Sequence, residues 1–297
     1  MSGPLRIRRA GVVAHPNRAG ARDLGKELAR WAAEHGVVLR TLDTEQGCAG
    51  PDAECVPEAE FAADLDLIVA LGGDGTLLRA AGLALPGEVP VLGINLGRLG
   101  FLTETEPDDL TRALDAVAAG HYTIEPRTTL QVLIMTSDGN PAATASAVND
   151  LVLEKTARHR LAGVAVSIDG RLFARYAADG IIVATPTGST AYSFSAGGPV
   201  VSPRIDALMI TPIAPHMVFN RSLLLHPDEV VRLQVLPGSS GVDASVDGRP
   251  VCELPPGSVA EVRRSPNRAL LVRLDGADFF GRVRSKFRLA DAEQLGE

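Results

Sequence analysis

Asp66-Leu-Ile-Val-Ala-Leu-Gly72-Gly73-Asp74-Gly75-Thr76-Leu-Leu-Arg79 reads as the greater part of a buried strand, Leu65 to Leu71, that ends in three glycines around one aspartate as a helix begins. Glycines there let the backbone approach a ligand closely, and the start of a helix offers free N–H groups and the positive end of its dipole. That combination favours a phosphate. A carboxylate repels phosphate, so Asp74 needs a further role, either holding Mg²⁺ or taking the proton from a hydroxyl that attacks a phosphoryl group. A bare Asp-Gly pair reads equally as a turn or a helix cap. Three glycines at the end of a buried strand weigh for function.

Outward from this loop the first part of the chain alternates strand and helix. Ile7 to His15 reads as a strand followed by a Pro16-Asn17 turn, and Ala21, Leu24, Leu28, Trp31 and Ala32 recur at helical spacing until Gly36. Val37 to Leu42 and Val89 to Ile94 read as strands, Thr76 to Gly82 and Asp108 to Ala119 as helices. This alternation predicts a parallel sheet covered on both faces. After Tyr122 the period changes to two. Leu130, Val132 and Ile134 alternate up to Ser137-Asp-Gly-Asn140, and Val164, Val166 and Ile168 up to Asp169-Gly170. The same pattern surrounds Asp247-Gly248 and runs across Val259 to Leu274 around Ser265-Pro-Asn267, each read as a hairpin. The expectation is an α/β domain with a parallel sheet over residues 1–121 and 276–297, and a β-rich, mostly antiparallel domain over residues 122–275. The C-terminal tail from Phe279 is expected to return to the first domain.

Composition narrows the function. The 297 residues are 45% hydrophobic and 22% charged, the balance of a soluble globular protein. A net charge of −7 argues against nucleic acid or an anionic membrane as partner, since either needs a basic face. No run approaches the ~20 apolar residues of a membrane span, and Met1 to Arg9 lacks the apolar stretch of a signal peptide. Cys48, Cys55 and Cys252 form no CxxC pair and read as reduced thiols of a cytosolic protein. Lys26, Lys155 and Lys286 are the only lysines, so phosphate chemistry must lean on arginine, backbone N–H groups and metal.

Other motifs fail on inspection. Gly20 to Glu27 nearly spells the phosphate-binding loop G-x-x-x-x-G-K-[ST], but Glu27 stands where the metal-binding hydroxyl belongs and Gly25-Lys26 fall inside a helix. Leu78 occupies the third glycine position of a dinucleotide fingerprint. The histidines are dispersed, with no zinc spacing and no hydrolase triad. A second dense stretch is Thr185-Pro-Thr-Gly-Ser-Thr-Ala-Tyr-Ser-Phe-Ser195, running on to Gly197-Gly-Pro199. Its hydroxyls and N–H groups suit the sugars and phosphates of a nucleotide, Tyr192 offers a flat face, and Ser189 or Thr190 is placed to cap a short helix. A Ser/Thr-rich turn with an ordinary cap reads as well.

These loops, together with Asn95-Leu-Gly-Arg-Leu-Gly-Phe-Leu-Thr-Glu104 and Asn149-Asp150, closely resemble NAD kinase, in that family's order and over most of the chain from about Leu67 to Asp247. Diacylglycerol kinases and phosphofructokinases have loops similar to the first, whereas the Thr185 to Tyr192 run is far more specific. The resemblance implies phosphoryl transfer from ATP, or inorganic polyphosphate, with a divalent metal such as Mg²⁺, to the 2′-hydroxyl of the adenosine ribose of NAD. It implies Asp74 as the base, Gly73, Gly75 and Thr76 as the phosphate loop, and Arg79 reaching the substrate. Asn149, Asp150, Asp179 and Arg160 match dinucleotide contacts, as do Thr190, Ala191, Tyr192, Ser193, Phe194 and Ser195. Arg249 and His216 lie near ligand-adjacent positions. No protein ligand to a resident metal is implied. NAD is expected between two domains in a homo-oligomer, dimer or tetramer. Two departures stand out: Asp150 where many members have glutamate, and Ala177 where some have an arginine near Asp179, so that a contact to the bound ligand is either lost there or supplied by Arg175 or Arg160. The alternatives are a lipid kinase of the diacylglycerol kinase type, which no membrane-facing segment supports, and a non-catalytic NAD-binding regulator, which has no need of Asp74.

Overall fold

The computed structural model describes residues 5–15, 19–97, 100–103, 105–274 and 278–289. The Pro16-Asn17 turn, Arg98, Leu99 and Glu104 of the second loop, and the tail beyond residue 289 lie outside the described residues. The chain forms two units, one of Met1–Pro126 with Ala269–Glu297 and one of Arg127–Arg268.

The first unit holds β1 (Arg9–Ala14), β2 (Val38–Leu42), β3 (Glu54–Val56), β4 (Leu67–Gly72), β5 (Val91–Asn95) and all but the last residue of β6 (Thr123–Arg127), with helices α1 (Ala19–His35), α2 (Asp74–Ala84) and α3 (Leu110–Ala118). The sheet order is β3-β2-β1-β4-β5, continued by the strand Ala269–Arg273 and then β6. The pairs β2–β3, β1–β2, β1–β4 and β4–β5 are all parallel. An apolar run with no polar alternation is what a strand covered on both faces requires. Accordingly Leu67, Val69 and Leu71 of β4 pack with Leu28 and Trp31 of α1 and Leu114 of α3, while Ile68 and Ala70 pack with Leu77 and Ala80 of α2. From β1 the chain runs outward through β2 and β3, then returns to lay β4 on the other side of β1. In open α/β sheets, ligands sit outside the carboxyl ends of the strands at such a reversal. Gly25 is a packing residue inside α1: a Cβ there would stand 1.7 Å from the Cys48 carbonyl oxygen. The helix Phe279–Phe287 returns to this unit, where Arg282 Nη1 donates to the carbonyls of Phe101 at 3.0 Å and Thr103 at 2.9 Å.

The second unit is built of β7 (Leu130–Met135), β8 (Pro141–Ala147), β9 (Asp150–Lys155), β10 (Ala162–Ile168), β11 (Arg171–Ala178), β12 (Gly180–Ala184), β13 (Leu208–Ile213), β14 (Leu223–Leu225), β15 (Val231–Val235), β16 (Val242–Val246), β17 (Arg249–Leu254) and β18 (Val259–Arg264). They form two sheets, β11-β10-β15-β18-β7-β8 and β14-β13-β12-β9-β16-β17, with antiparallel pairing. The sheets share one core, to which Val132, Val164 and Leu233 come from the first and Leu153, Ile181 and Ile210 from the second. Asp169-Gly170 and Asp247-Gly248 turn their hairpins with positive φ at both residues, 48° and 74°, then 49° and 73°. That is the geometry whose twist matches the flanking strands.

Two expectations need correction. Val259 to Leu274 is not a hairpin: β18 pairs with β15 and β7, whereas Ala269–Arg273 pairs with β5 in the first unit. Alternation marks a strand but does not name its partner, and Ser265-Pro266-Asn267 carries no positive-φ pair to fold the chain back on itself. Neither Ser189 nor Thr190 caps a helix. Both lie within a 3₁₀ turn, Thr187–Thr190, and Ala191 precedes the short α4 (Tyr192–Ser195) without a side-chain cap.

Candidate active site

The Gly72-Gly-Asp-Gly75 loop stands at the reversal between β1 and β4, and its glycines differ in purpose. A Cβ at Gly72 would lie 2.1 Å from Thr76 Oγ1, so this glycine lets the strand turn tightly into α2. At Gly73 and Gly75 a Cβ would meet nothing within 4 Å, so they leave bare backbone facing open space. In the first turn of α2 the N–H groups of Thr76 and Leu77 donate to the Gly73 carbonyl at 3.0 and 3.1 Å, while those of Asp74 and Gly75 have no carbonyl to meet within the helix. Gly73 precedes the helix without a side-chain cap, and Asp74 is not the cap either. Its carboxylate turns to another loop: Oδ2 accepts from the N–H of Phe101 at 2.7 Å, and Oδ1 from Leu102 at 3.1 Å and Thr103 at 3.2 Å. Gly100 makes this possible, because a Cβ there would sit 1.8 Å from Asp74 Oδ1. A carboxylate has about four acceptor positions, so among the described residues one on Oδ2 remains for a further donor.

Ala14, His15, Gly73, Asp74, Gly75, Thr76 and Arg79 line a cleft of about 400 Å³ here. Arg79 is held in place by Glu45, a buried carboxylate that pairs with its guanidinium and also accepts from the Ala14 N–H at 2.8 Å. Glu45 was invisible in sequence, because it lies in a 3₁₀ turn far from the loop it serves.

In the second unit Asn149 and Asp150 lie where the chain passes from β8 in one sheet to β9 in the other. The Asn149 carbonyl accepts from the Thr185 N–H at 2.8 Å, and a Cβ on Gly188 would strike it at 2.2 Å. Asn149 Oδ1 is buried with no partner among the described residues. Asp150 is buried, and burial first and the neighbouring Asp247 charge second push its carboxyl up to about 7. The Asp247 carboxyl is also raised by burial, against the pull of backbone N–H donors and the Arg249 charge.

A second group forms around Asp179, whose carboxylate pairs with Lys155. Lys155 is thus a cationic partner of Asp179, a role its sequence position did not suggest. Tyr192 donates to Glu154 at 2.7 Å, and burial, Glu154 and Asp179 push its hydroxyl up to about 12. Phe194 and Ser195 are exposed, while Thr190 and Ala191 are half-buried. Many of the loop's hydroxyls are committed internally. Thr185 donates to the Val148 carbonyl at 2.6 Å, Ser189 bridges to Val201, Thr187 accepts from Arg127, and buried Ser193 meets Thr211 at 2.9 Å. Arg160 is exposed in the turn after β9, and His216 is exposed with its N–H on the Ala177 carbonyl at 2.8 Å. Among the described residues no three His, Cys, Asp or Glu side chains gather into a metal-binding group, and no helix is long and apolar enough to cross a membrane.

A reversing parallel sheet whose loop offers bare backbone, a helix start and one oriented carboxylate defines a phosphate-handling α/β enzyme. Comparison with known proteins gives the family. The model of the ATP-NAD kinase N-terminal domain matches residues 10–122, and that of the ATP-NAD kinase C-terminal domain matches residues 148–274. The chain belongs to the NAD kinase family, and is a phosphotransferase. It is 42% identical to NAD kinase 1 of Streptomyces avermitilis, over 97% of this chain and 89% of that one. It is also 42% identical to the NAD kinase of Symbiobacterium thermophilum, over 93% and 97%. Among solved structures it resembles yeast NADH kinase complexed with NADH, at a TM-score of 0.90 and 26% identity over 98% of this chain and 90% of that one. It also resembles an NAD kinase from Archaeoglobus fulgidus in complex with ATP, at 0.72 and 25% over 95% and 100%.

The raised Asp150 carboxyl has a consequence for stability. The folded chain holds a proton there at pH values where the unfolded chain has lost it. Its contribution is therefore complete below the unfolded value near 4 and lost as pH rises through about 7. Asp150→Asn, neutral throughout, is expected to lose at least about 3 °C less Tm than the parent between about pH 5.5 and about pH 8. Equal losses in the two proteins contradict this.

Proposed function

We propose that this chain transfers the γ-phosphoryl group of ATP to the 2′-hydroxyl of the adenosine ribose of NAD, giving NADP, with Asp74 as the base. The observation that carries this is the Asp74 carboxylate, held by three backbone N–H groups at the edge of a glycine-lined cleft and keeping one acceptor position open. The hydroxyl oxygen bonds to the γ-phosphorus, the bond to the ADP oxygen breaks, and the hydroxyl proton passes to Asp74 Oδ2. Gly73, Gly75 and Thr76 shape the phosphate loop, and Arg79, steadied by Glu45, brings positive charge to it. Mg²⁺ enters with ATP as the metal–nucleotide substrate, which offsets the repulsion between Asp74 and the phosphates. Inorganic polyphosphate is a second candidate donor, since the loop reads phosphate and the base reads only the acceptor. Asn149, Asp150, Asp179, Arg160 and Arg249 hold the dinucleotide together with the run Thr190 to Ser195, in which buried Ser193 serves by bracing the loop against Thr211. Free Cys48, Cys55 and Cys252 fit a reducing cytosol.

General-base assistance is worth about 10²–10⁴ in rate. Asp74→Asn is therefore expected to lose at least about 10²-fold in turnover while its KM for NAD stays within about threefold. An assay with NAD, Mg²⁺ and either ATP or polyphosphate, read by an NADP-specific dehydrogenase, measures both and ranks the donors. Parental turnover in this variant removes Asp74 as base, and no NADP from the parent with either donor contradicts the kinase reading.

The second unit also carries an apolar surface. Phe173, on the edge strand β11, meets Phe219 edge to face at 5.6 Å, beside exposed Leu172 and Val218. We infer that copies of the chain associate through it as a dimer or tetramer. Light scattering is expected to give a multiple of 31.1 kDa, and a monomer at micromolar concentration contradicts it.

A further inference from the structure

We propose that Asp247 is a positioning residue for dinucleotide binding: from the tip of the β16–β17 hairpin it gathers the backbone of Val148, Asn149 and Asp150 and fixes the direction of the last two side chains. The inference rests on the reading above that Asn149 and Asp150 hold NAD.

The need for such a residue follows from topology. Between β8 and β9 the chain leaves one sheet for the other with only Val148 and Asn149 to make the passage, so their N–H groups are off the ladder of either sheet. Buried N–H groups require partners. Asp247 supplies them: Oδ2 accepts from Val148 at 2.9 Å, and Oδ1 from Asn149 at 2.7 Å and Asp150 at 3.2 Å. The Asp247 N–H returns a bond to the Asp150 carbonyl at 3.0 Å, so the clasp closes from both sides. Thr185 meanwhile holds the Asn149 carbonyl, leaving the side chain as that residue's free element. The turn is well suited to this, because its left-handed backbone (φ 49°) aims a short acidic side chain at neighbouring N–H groups. Asp247 is also the charge that faces Asp150, and Arg249 is the cation that acts on Asp247.

Asp247→Asn tolerates the same backbone and has one acceptor oxygen in place of two, with an NH₂ opposing a donor. In the full chain it is expected to raise KM for NAD at least about tenfold while kcat at saturation and KM for ATP stay within about threefold. Removing the facing charge should also move the pH midpoint of NAD affinity downward, and the rise in KM for NAD without a fall in kcat is what a merely structural role does not give. Asp247→Ala should raise KM for NAD further. If it fails to fold, the asparagine variant still decides. Parental KM and midpoint in Asp247→Asn overturn the proposal, as does an equal loss in kcat and in both KM values. Asn149→Ala separates the underlying reading. If KM for NAD is unchanged there, the pair does not touch the dinucleotide; if it rises there but not in Asp247→Asn, only the role of Asp247 falls.

Discussion

Everything in the first unit that bears on chemistry depends on one interaction, the capture of the Asp74 carboxylate by the N–H groups of Phe101, Leu102 and Thr103. A carboxylate beside a phosphate site repels the ligand unless it is aimed at something else. Three charge-assisted bonds supply the aim and hold the group in one orientation. They need Gly72, so that β4 can turn into α2, and Gly100, so that the second loop can come within reach. They also need the parallel sheet, since β4 and β5 are adjacent and deliver both loops to the same edge. Apolar burial on two faces of β4 thus serves the site by keeping that edge rigid.

The second unit solves a related problem with different parts. Two antiparallel sheets share a core, and the chain must cross between them where the polar pair Asn149-Asp150 lies. Backbone donors released by the crossing are taken up by Asp247, and the carbonyl side by Thr185. In both units a carboxylate binding three consecutive N–H groups fixes a loop. On the proposed function, the working group is the carboxylate itself at Asp74 and the loop it holds at Asp247.

Much of this was legible in the sequence. The apolar run Leu67 to Leu71 ending in Gly72-Gly-Asp-Gly75 announced a buried strand turning through bare glycine backbone into a helix, and Asp169-Gly170 and Asp247-Gly248 announced hairpins. What remained hidden was non-local. The donors to Asp74 are backbone groups, which any residue type supplies, and Glu45 and Lys155 become partners of Arg79 and Asp179 only through the fold. The hydroxyl-rich run from Thr185 to Ser195 reads in sequence either as polar contacts for a ligand or as a Ser/Thr-rich turn, and Thr185, Ser189 and Ser193 spend their hydroxyls on Val148, Val201 and Thr211. Hydroxyl density signals satisfied loop backbone as readily as recognition. Val259 to Leu274 misled for a similar reason, since its two strands carry the right period for partners in separate units.

On this reading the orientation of Asp74, and not its presence alone, sets turnover. The direct test is turnover of Gly100→Ala, in which Asp74 is retained and an added methyl occupies the place of its Oδ1. The expected result is a folded protein, by circular dichroism and Tm, whose kcat falls at least about 10²-fold, into the range of a lost general base. A folded Gly100→Ala protein with parental kcat would contradict it.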